Sequence, residues 1–157
     1  MREIFNVEQI GIIHTPFKTK DDCPIQGMLN STAKGKIELF PEYQEGLVTI
    51  DTFTHIYLFY IFNRSNEVIL SRQTFLDDNV HGVFASRHPC RPNSIGMSIV
   101  KLEQQNGNEL VVSGIDVLDQ TPLIDIKPYV PRFDYFKEAG NGWVEGLTLR
   151  PKPKDRE

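Results

Sequence analysis

The chain has 157 residues, of which 39% are hydrophobic and 24% are charged, a composition typical of one globular domain rather than of a disordered or fibrous protein. It contains no apolar run long enough to span a bilayer, and its first residues lack the pattern of a secretory signal. Its formal net charge of −4 does not favour a nucleic-acid partner, because phosphate binding usually requires a basic surface. We therefore expect a cytoplasmic protein with no membrane segment, and the composition alone favours a small-molecule enzyme.

The two cysteines give no sign of a metal or disulfide site. Cys23 and Cys90 are far apart in the sequence, and neither belongs to a CxxC pair or to a Cys/His ligand spacing. This arrangement argues against a zinc site and a disulfide scaffold, and it is typical of a reducing compartment. The histidines show no ligand spacing either, so we expect no metal.

The first half of the chain contains three strand-like runs. Residues 7–16 predict a strand, and residues 17–26, which are polar and bracketed by prolines, predict a loop. Residues 31–40 alternate like a strand, and the proline that follows suits the first turn of a short helical stretch over 41–50. Residues 53–62 are rich in aromatic and β-branched side chains and predict a strand buried on both faces, although a short buried helix has the same pattern.

The second half contains the clearest hairpin signal. Residues 94–103 and 109–117 flank an Asn-Gly step, which is typical of a turn between antiparallel strands. In the first of these strands Ile95, Met97 and Ile99 are expected to share one face. Short strands and little helix predict a mainly β fold: a small single-domain antiparallel β-barrel with a few short helices over residues 1–150. A charged, frayed tail is expected over 151–157.

A proline-rich loop with two arginines is the first candidate site. Within residues 82–96, Arg87 and Arg91 flank His-Pro-Cys, and two prolines restrict the backbone, so that a guanidinium loses little entropy on binding. A fixed guanidinium suits a carboxylate or a phosphate, because it donates two parallel hydrogen bonds. A rigid surface loop with solvated arginines has the same pattern.

The segment over residues 119–131 is the second candidate. In an extended chain Asp125, Lys127 and Tyr129 point to one face, which brings a carboxylate, an ammonium and a phenol together for acid–base chemistry or binding. The prolines at 128 and 131 predict an edge strand, or mark the place where the strand leaves the sheet. An edge strand whose polar side faces water is the simpler interpretation of the sequence alone.

Four segments together resemble one known family. They are IGIIHTPFKTKDDCPIQ (10–26), FTHIYLFYIFN (53–63), GVFASRHPCRPNSIGMSIVKL (82–102) and LDQTPLIDIKPYVPRFD (118–134), and they occur in the family's order. The most specific match is the R-x-P-x-R-P-N-x-I-G block that begins at Arg87. Over most of its length the chain is therefore similar to the TsaA-like (VirR) family of S-adenosylmethionine-binding β-barrel proteins.

The resemblance implies a homodimer with an S-adenosylmethionine pocket near the subunit interface, and N6-methylation of threonylcarbamoyl-adenosine at position 37 of tRNA. Such a cofactor would not be held by a doubly wound fold, since the sequence has no dinucleotide fingerprint. The implied cofactor contacts are Pro24, Ile25, Gln26, Asn63, Arg64, Arg87, Met97, Asp119, Gln120, Thr121 and Pro122. The implied substrate-binding residues are Arg91 and Asn93. The implied catalytic residues are Asp125, Lys127 and Tyr129, with Asp134 in the same motif block.

Three positions depart from the family pattern. Ile25 stands where arginine is common, Gln120 where glycine is common, and Asn63 where histidine is frequent. Main-chain contacts at the first two positions are compatible with these changes, whereas the loss of an arginine alters charge recognition of the cofactor or the RNA.

We therefore predict an S-adenosylmethionine-dependent tRNA methyltransferase in which Asp125 or Tyr129 takes the proton from the adenine nitrogen. Two alternatives remain open. The chain methylates a different RNA or a small molecule, which the acidic pI favours, or it is a non-catalytic S-adenosylmethionine-binding regulator.

Overall fold

The strands of the protein are short and follow one another along the chain with little helix between them. The structure is a computed structural model, and it describes residues 1–151. The strands within these residues are β1 (Gly11–His14), β2 (Lys34–Leu39), β3 (His55–Ile61), β4 (Ser71–Gln73), β5 (Val80–Gly82), β6 (Ile95–Asn106), β7 (Glu109–Ser113) and β8 (Thr121–Pro128). The tail predicted over 151–157 lies, from residue 152 onward, outside the described residues.

The helical elements are single turns or slightly longer. The α-helical turn is α1 (Pro131–Asp134), and the 3-10 turns are Gly27–Asn30, Pro41–Leu47, Ile50–Thr52, Val83–Ala85 and Gly142–Val144. The helical stretch predicted to start at Pro41 is confirmed as one of these turns. Within residues 1–151, none of the helices has the length and apolar character needed to cross a membrane.

Six strands close into an antiparallel barrel in the order β1-β2-β7-β6-β3-β8, and β8 pairs back onto β1. Closure removes the free edges of the sheet, so the backbone groups of the barrel strands find partners on both sides. The remaining strands, β4 and β5, pair only with each other. The predicted fold class, a mainly β antiparallel barrel with a few short helices, is confirmed.

Alternate side chains of the strands fill the barrel. The largest fully buried ones are Ile13, Ile37, Ile56, Leu58, Val100, Leu110, Val112 and Leu123, and Ile115 of the connection to β8 packs with them. Burying one such side chain stabilises the fold by about 1.5–3 kcal/mol, and β-branched residues suit the pleated wall of a barrel. The loops at both ends are thus attached to a packed, rigid support.

Where β6 begins, small side chains face inward and large ones face outward. Gly96 and Ser98 are buried, whereas Ile95 and Ile99 keep 42% and 41% of their surface exposed. The ring of Tyr60 on β3 occupies the interior here, because a Cβ placed on Gly96 would lie 2.1 Å from that ring. The common face predicted for Ile95, Met97 and Ile99 is confirmed, and it is the outer face of the barrel.

Two strand predictions from the first half of the chain need correction. The first strand runs from Gly11 to His14 rather than over 7–16. Ile10 still donates a backbone hydrogen bond to Leu123 O at 2.8 Å, but the pairing with β2 begins at Gly11. The strand over 53–62 is confirmed as β3, but its burial on both faces is wrong. Ile56 and Leu58 point into the barrel and are fully buried, whereas Tyr57 and Phe59 lie on its outer wall and are only half-buried.

The hairpin is confirmed with a tighter turn than predicted. β6 continues to Asn106 and β7 starts at Glu109, so the loop has only two residues, the first of which is Gly107 with φ of 61°. β7 ends at Ser113 rather than at residue 117, because the next residue, Gly114, has φ of 78° and turns the chain out of the sheet. A positive φ of this kind favours glycine.

The edge strand predicted over 119–131 is wrong, because barrel closure gives β8 two neighbours. Residues 121–123 pair with β1, and β8 also pairs with β3 from Leu123 to Pro128. The alternative prediction, that the strand leaves the sheet at the proline, is confirmed. After Pro128 the chain enters the turn α1.

Candidate functional site

Three long connections meet at one end of the barrel, which we call the loop end and define by residues 15–33, 62–94 and 114–120. The strand register brings them together, because Ile13 at the end of β1 pairs with Thr121 at the start of β8. In the same way, Ile61 at the end of β3 pairs with Ile95 at the start of β6. Most of the candidate cofactor and substrate residues lie in these connections or directly beside them, although they come from four separate segments of the sequence.

The first pair of candidates that the fold brings into contact is Gln26 and Arg87. They are 61 positions apart in the chain, yet Arg87 Nη1 donates a hydrogen bond to Gln26 Oε1 at 2.9 Å. Gln26 also bonds the carbonyl of its neighbour, since its Nε2 donates to Ile25 O at 2.8 Å. The preceding residues Pro24 and Ile25 are half-buried in the same loop. The Arg87 side chain is exposed and therefore accessible to an anionic group.

The second pair is Arg64 and Asp119. Arg64 Nη2 donates to the main-chain oxygen of Asp119 at 2.6 Å, which holds the connection that leads into β8. The Asp119 side chain is itself tied to the first loop, because Thr15 N donates to Oδ1 at 2.9 Å and Lys18 Nζ donates to Oδ2. Burial alone raises the pKa of the Asp119 carboxyl, but the hydrogen bonds from Lys18 and Thr15 lower it below its ordinary value.

The residues after Asp119 form the sharp entry into β8. Gln120 adopts the left-handed conformation with φ of 66°, and its Nε2 lies 3.0 Å from His14 Nδ1. Thr121 is buried, and its hydroxyl donates to Leu118 O at 2.7 Å. Pro122 pairs with Ile12 of β1. These contacts fix the shape of the main chain at 119–122.

The loop that carries Arg91 concentrates positive charge. Arg91 Nη1 donates to the carbonyl oxygens of Ser86 at 3.0 Å and His88 at 3.3 Å, so this arginine holds the loop together. The pKa of His88 is lowered to about 4, because the ring is half-buried and because the cations Arg72, Lys20 and Arg91 lie nearby. A neutral imidazole among three cations marks a region of positive potential on an acidic protein.

Two further candidates lie in exposed turns at the same end. Asn63 is the second residue after β3, and its main-chain N donates to Ile61 O at 2.9 Å. Asn93 precedes β6 and is exposed in the same way. The two turns are adjacent, because Phe62 N donates to Ser94 O at 2.8 Å. The arrangement therefore brings the predicted cofactor position Asn63 close in space to the predicted substrate position.

The three candidate catalytic residues lie on the outer wall, away from the loops. Asp125 and Lys127 pair with Phe59 and Tyr57 of β3, and they form an ion pair in which Oδ2 and Nζ are 2.8 Å apart. The ring of Tyr129 lies 5.6 Å from that of Tyr57. The predicted common face of Asp125, Lys127 and Tyr129 is therefore confirmed. Asp134 lies beyond it and accepts a hydrogen bond from Val130 N at 2.8 Å.

Met97 links the two groups of candidates. It pairs with Phe59, which in turn pairs with Asp125, so the three side chains form a row across β6, β3 and β8 on the outer wall. The row is close to the loop end, since Met97 is the third residue of β6. A ligand bound at the loop end and a group bound beside Asp125 would thus meet near Met97.

The sequence patterns do not reveal a half-buried carboxylate at the loop end. Asp116 accepts hydrogen bonds from Ser98 Oγ and from Gly27 N, the latter at 3.0 Å. Burial raises the pKa of its carboxyl, and the hydrogen bonds from Ser98 and Gly27 offset part of that rise. The only signal in the sequence is a carboxylate within the otherwise apolar run GIDVL at 114–118.

Within residues 1–151, no group of three or more histidine, cysteine, aspartate or glutamate side chains is arranged so that it could hold a metal ion. Cys23 and Cys90 do not form a disulfide bond with each other.

A comparison of the chain with known protein families identifies its family. The model of the tRNA-methyltransferase O N-terminal domain matches residues 12–135, a range that includes every candidate site residue. The chain belongs to the TrmO family. A crystal structure of TrmO superposes with a TM-score of 0.78 at 38% identity, and the match covers 89% of this chain and 64% of the solved one.

Relatives with curated names support the same assignment to the TrmO family. A probable S-adenosyl-L-methionine-binding protein of Pyrococcus abyssi is 48% identical over 136 residues, which are 87% of this chain and 74% of the relative. The tRNA (adenine(37)-N6)-methyltransferase of Escherichia coli is 32% identical over 151 residues, or 90% of this chain. This chain spans 64% of the length of that enzyme.

The TrmO-family resemblance and the backbone together predict the effect of changing Gln120. The resemblance implies that glycine is common at this position, and a residue with a Cβ at φ of 66° is strained by about 1–2 kcal/mol. We expect Gln120→Gly to raise the melting temperature by about 2 °C, because relief of strain outweighs the loss of the exposed bond to His14. Gln120→Ala keeps the strain and loses the bond, so it should lower the melting temperature in the same scan. Equal losses in both variants would contradict this explanation.

Proposed function

We propose that this protein is an S-adenosylmethionine-dependent methyltransferase that acts on N6 of threonylcarbamoyl-adenosine at position 37 of tRNA. One observation carries the proposal most directly: four distant segments converge at the loop end, where Arg87 contacts Gln26 and Arg64 contacts Asp119. Kinship with the TrmO family supports the methyl donor and the class of reaction.

The side chains and main chain of the loop end fit S-adenosylmethionine. Arg87 offers an exposed guanidinium, which suits the carboxylate of the methionine part. Arg64 holds the main chain at Asp119, whereas Arg87 holds the Gln26 side chain, which in turn donates to the main-chain oxygen of Ile25. Polar groups held in this way can orient a nucleoside with little reorganisation. When bound, the cofactor supplies a methyl group that is already activated by a sulfonium. The contribution of the protein is then mainly positioning, which can lower a barrier by roughly 7–11 kcal/mol.

Asp125 is the residue that we assign as the base. N6 of the substrate must lose its proton as the methyl group is transferred, and a carboxylate within reach can accept it. Lys127 is ion-paired with Asp125 at 2.8 Å, which holds the carboxylate in place. The ring of Tyr129 is tilted by 60° against that of Tyr57, and the two rings lie on the same outer face as Asp125. Tyr129 is therefore suited to contact the adenine ring. The methyl transfer produces S-adenosylhomocysteine, N6-methylated nucleoside and one proton on Asp125.

We also propose a homodimer that buries the outer apolar face, defined by Tyr57, Phe59, Ile95, Met97 and Ile99. Ile95 and Ile99 are 42% and 41% exposed on a barrel wall, although isoleucine prefers the interior. Contiguous exposed apolar surface of this kind marks interaction sites. Met97 belongs both to this face and to the implied cofactor contacts, which supports a pocket close to the interface.

The double variant Ile95→Glu/Ile99→Glu tests this dimer. Two carboxylates without partners in an apolar interface cost several kcal/mol, so we expect the variant to be monomeric at concentrations where the original protein is dimeric. Light scattering coupled to gel filtration measures the mass directly. Gln104→Glu adds a charge at an exposed position of the same strand and should leave the dimer intact. A dimeric double variant, or a monomeric original protein, would refute the proposed interface.

The cations around His88 support RNA as the acceptor. Lys20, Arg72 and Arg91 concentrate positive charge at the loop end, although the whole chain carries a net charge of −4. A local cluster of positive charge can bind the phosphates of RNA or the carboxylate of the threonyl group. It also accounts for how an acidic protein can bind tRNA.

A transfer assay with three acceptors distinguishes the proposal from its alternatives. Labelled S-adenosylmethionine is offered with tRNA that contains threonylcarbamoyl-adenosine, with the unmodified transcript, and with the free modified nucleoside. The proposal predicts label only in the modified tRNA, with an initial rate that falls steeply as salt is added. Label in the free nucleoside at a salt-independent rate would favour a small substrate. Cofactor binding without any transfer would favour a regulator.

A further inference from the structure

A chain of hydrogen bonds runs through the barrel interior to the loop that precedes Gly27. The hydroxyls of Tyr60 and Ser98 are 2.8 Å apart, and Ser98 Oγ donates to Asp116 Oδ1. The other carboxylate oxygen, Oδ2, accepts from Gly27 N at 3.0 Å. The Ser98 hydroxyl has one proton, which it donates to the carboxylate. Tyr60 is therefore the donor in the hydrogen bond between the two hydroxyls. The network therefore ends on a single main-chain amide of the cofactor loop.

A second, independent contact presses the same residue against the barrel. A Cβ placed on Gly27 would lie 2.0 Å from the carbonyl oxygen of Gly114, so only glycine allows this approach of the two backbones. Gly27 is buried, whereas the 3-10 turn that follows it, from Met28 onward, is exposed. Gly27 is thus the point at which the loop is attached to the rigid part of the fold.

Packing alone does not explain why a carboxylate stands at this point. Asp116 is half-buried, and a charge that is withdrawn from water is costly unless hydrogen bonds satisfy it, so that an apolar side chain of similar size usually gives equal or better stability. Both oxygens of Asp116 are satisfied, and one of the two bonds leaves the barrel to reach the loop. The residue next to Gly27 is Gln26, whose Oε1 accepts the hydrogen bond from Arg87. The order of contacts is Asp116, Gly27, Gln26 and Arg87.

We infer that Asp116 is a positioning residue for the methyl donor, which acts by fixing the Gly27 amide and, through it, the Gln26–Arg87 pair. The inference rests on the proposed function, since it takes the loop at 24–26 as part of the cofactor site. Ser98 and Tyr60 orient the carboxylate, so their influence on the loop is smaller and indirect. Asp116 itself does not touch the reacting atoms in this account.

Two substitutions at Asp116 separate this role from a general effect on stability. In Asp116→Ala the Gly27 amide loses its acceptor, and we expect the Kd for S-adenosylmethionine to rise about tenfold, which is the usual effect of losing one hydrogen bond to a charged group. In Asp116→Asn the amide oxygen can still accept from Gly27 while its NH2 group donates to Ser98 Oγ. The Kd of this variant should therefore stay within about threefold of the original value. Calorimetry on the full chain measures both.

Hydrogen exchange gives a direct view of the loop. The amide of Gly27 should exchange much faster in Asp116→Ala than in Asp116→Asn, because only the latter retains an acceptor for it. If Asp116→Ala does not fold, Ser98→Ala and Tyr60→Phe can replace it in these measurements, because both variants keep the carboxylate of Asp116. We expect the Kd to increase less in Tyr60→Phe than in Ser98→Ala, in the order of their distance from Gly27 along the network.

A matched control loses stability without touching the loop. Ile56 is fully buried near the start of β3, four positions before Tyr60, so Ile56→Val lowers the melting temperature through core packing alone. It should bind S-adenosylmethionine as the original protein does. The inference would be overturned if Asp116→Ala bound S-adenosylmethionine as tightly as the original protein, or if Ile56→Val lost as much affinity as Asp116→Ala. Failure of the original protein to bind the cofactor would instead contradict the proposed function, so the two failures can be told apart.

Discussion

Replacement of Arg87 by alanine should weaken S-adenosylmethionine binding by about ten- to a hundredfold, because a hydrogen-bonded charge contributes roughly 1.5–3 kcal/mol. The guanidinium is exposed at the loop end, and its contact with Gln26 Oε1 at 2.9 Å holds it in one orientation. Its donors match the two oxygens of a carboxylate. The turnover number at saturating cofactor should change little, since Arg87 is assigned to binding and not to proton transfer. Calorimetry and steady-state kinetics measure the two quantities separately.

Two further variants make the Arg87 result specific. Arg87→Lys keeps the charge but loses the planar fork, so its affinity should lie between those of the original protein and the alanine variant. Arg150→Ala removes another exposed arginine, one that pairs with Asp78 at 2.8 Å, and should leave cofactor affinity unchanged. An unchanged Kd in Arg87→Ala would exclude Arg87 as a cofactor contact.

Replacement of Asp125 by asparagine should lower kcat by about a hundredfold or more, which is the usual contribution of a positioned general base. The asparagine side chain has nearly the same shape, but its amide cannot accept the proton from N6. Cofactor affinity should be nearly unaffected, because Asp125 lies on the outer wall opposite Phe59 and not in the loops that hold Arg87. Single-turnover transfer to tRNA at saturating cofactor measures this step without product release.

A comparable carboxylate elsewhere provides the control for Asp125. Asp78 is exposed and pairs with Arg150 at 2.8 Å, the same distance that separates Asp125 from Lys127. Asp78→Asn therefore removes an equivalent ion pair and should leave transfer unchanged. If Asp125→Asn turns over normally, Asp125 is not the base, and Tyr129→Phe becomes the variant to examine.

The sequence is informative where local chemistry decides the structure. The Asn-Gly step predicts the turn between β6 and β7, and Pro41 predicts the start of a short helical stretch, since both depend on backbone preferences of a few neighbouring residues. The alternation of Ile95, Met97 and Ile99 likewise predicts a common face. Which face points outward is not encoded locally: the ring of Tyr60 fills the interior opposite Gly96.

Features that depend on pairing between distant segments were predicted wrongly or missed. β8 looks like an edge strand because it contains prolines, yet barrel closure pairs it with β1, which is more than one hundred residues earlier in the chain. The aromatic and β-branched side chains of β3 predict burial on both faces, although in the closed barrel one of these faces forms the outer wall. The alternation within 114–119 gave no indication that Asp116 would reach Gly27 across the end of the barrel.

The candidate site shows the same division between motif and geometry. The motif blocks indicate which residues belong to the site. They do not indicate that Gln26 contacts Arg87 or that Arg64 contacts Asp119, because these pairs are 61 and 55 positions apart in the chain. The departure at Gln120 also gains a physical meaning only from its φ of 66°. Glycine, which the family resemblance implies at this position, would avoid the strain that Gln120 has there.

Nucleoside mass spectrometry of the reaction product tests the central claim most directly. tRNA is purified from cells that lack this gene, incubated with the protein and S-adenosylmethionine, and digested to nucleosides. The account predicts that threonylcarbamoyl-adenosine decreases and that a nucleoside heavier by one methyl group, with the methyl on the adenine base, increases in equal amount. An unchanged nucleoside profile in the presence of protein that binds the cofactor would contradict it.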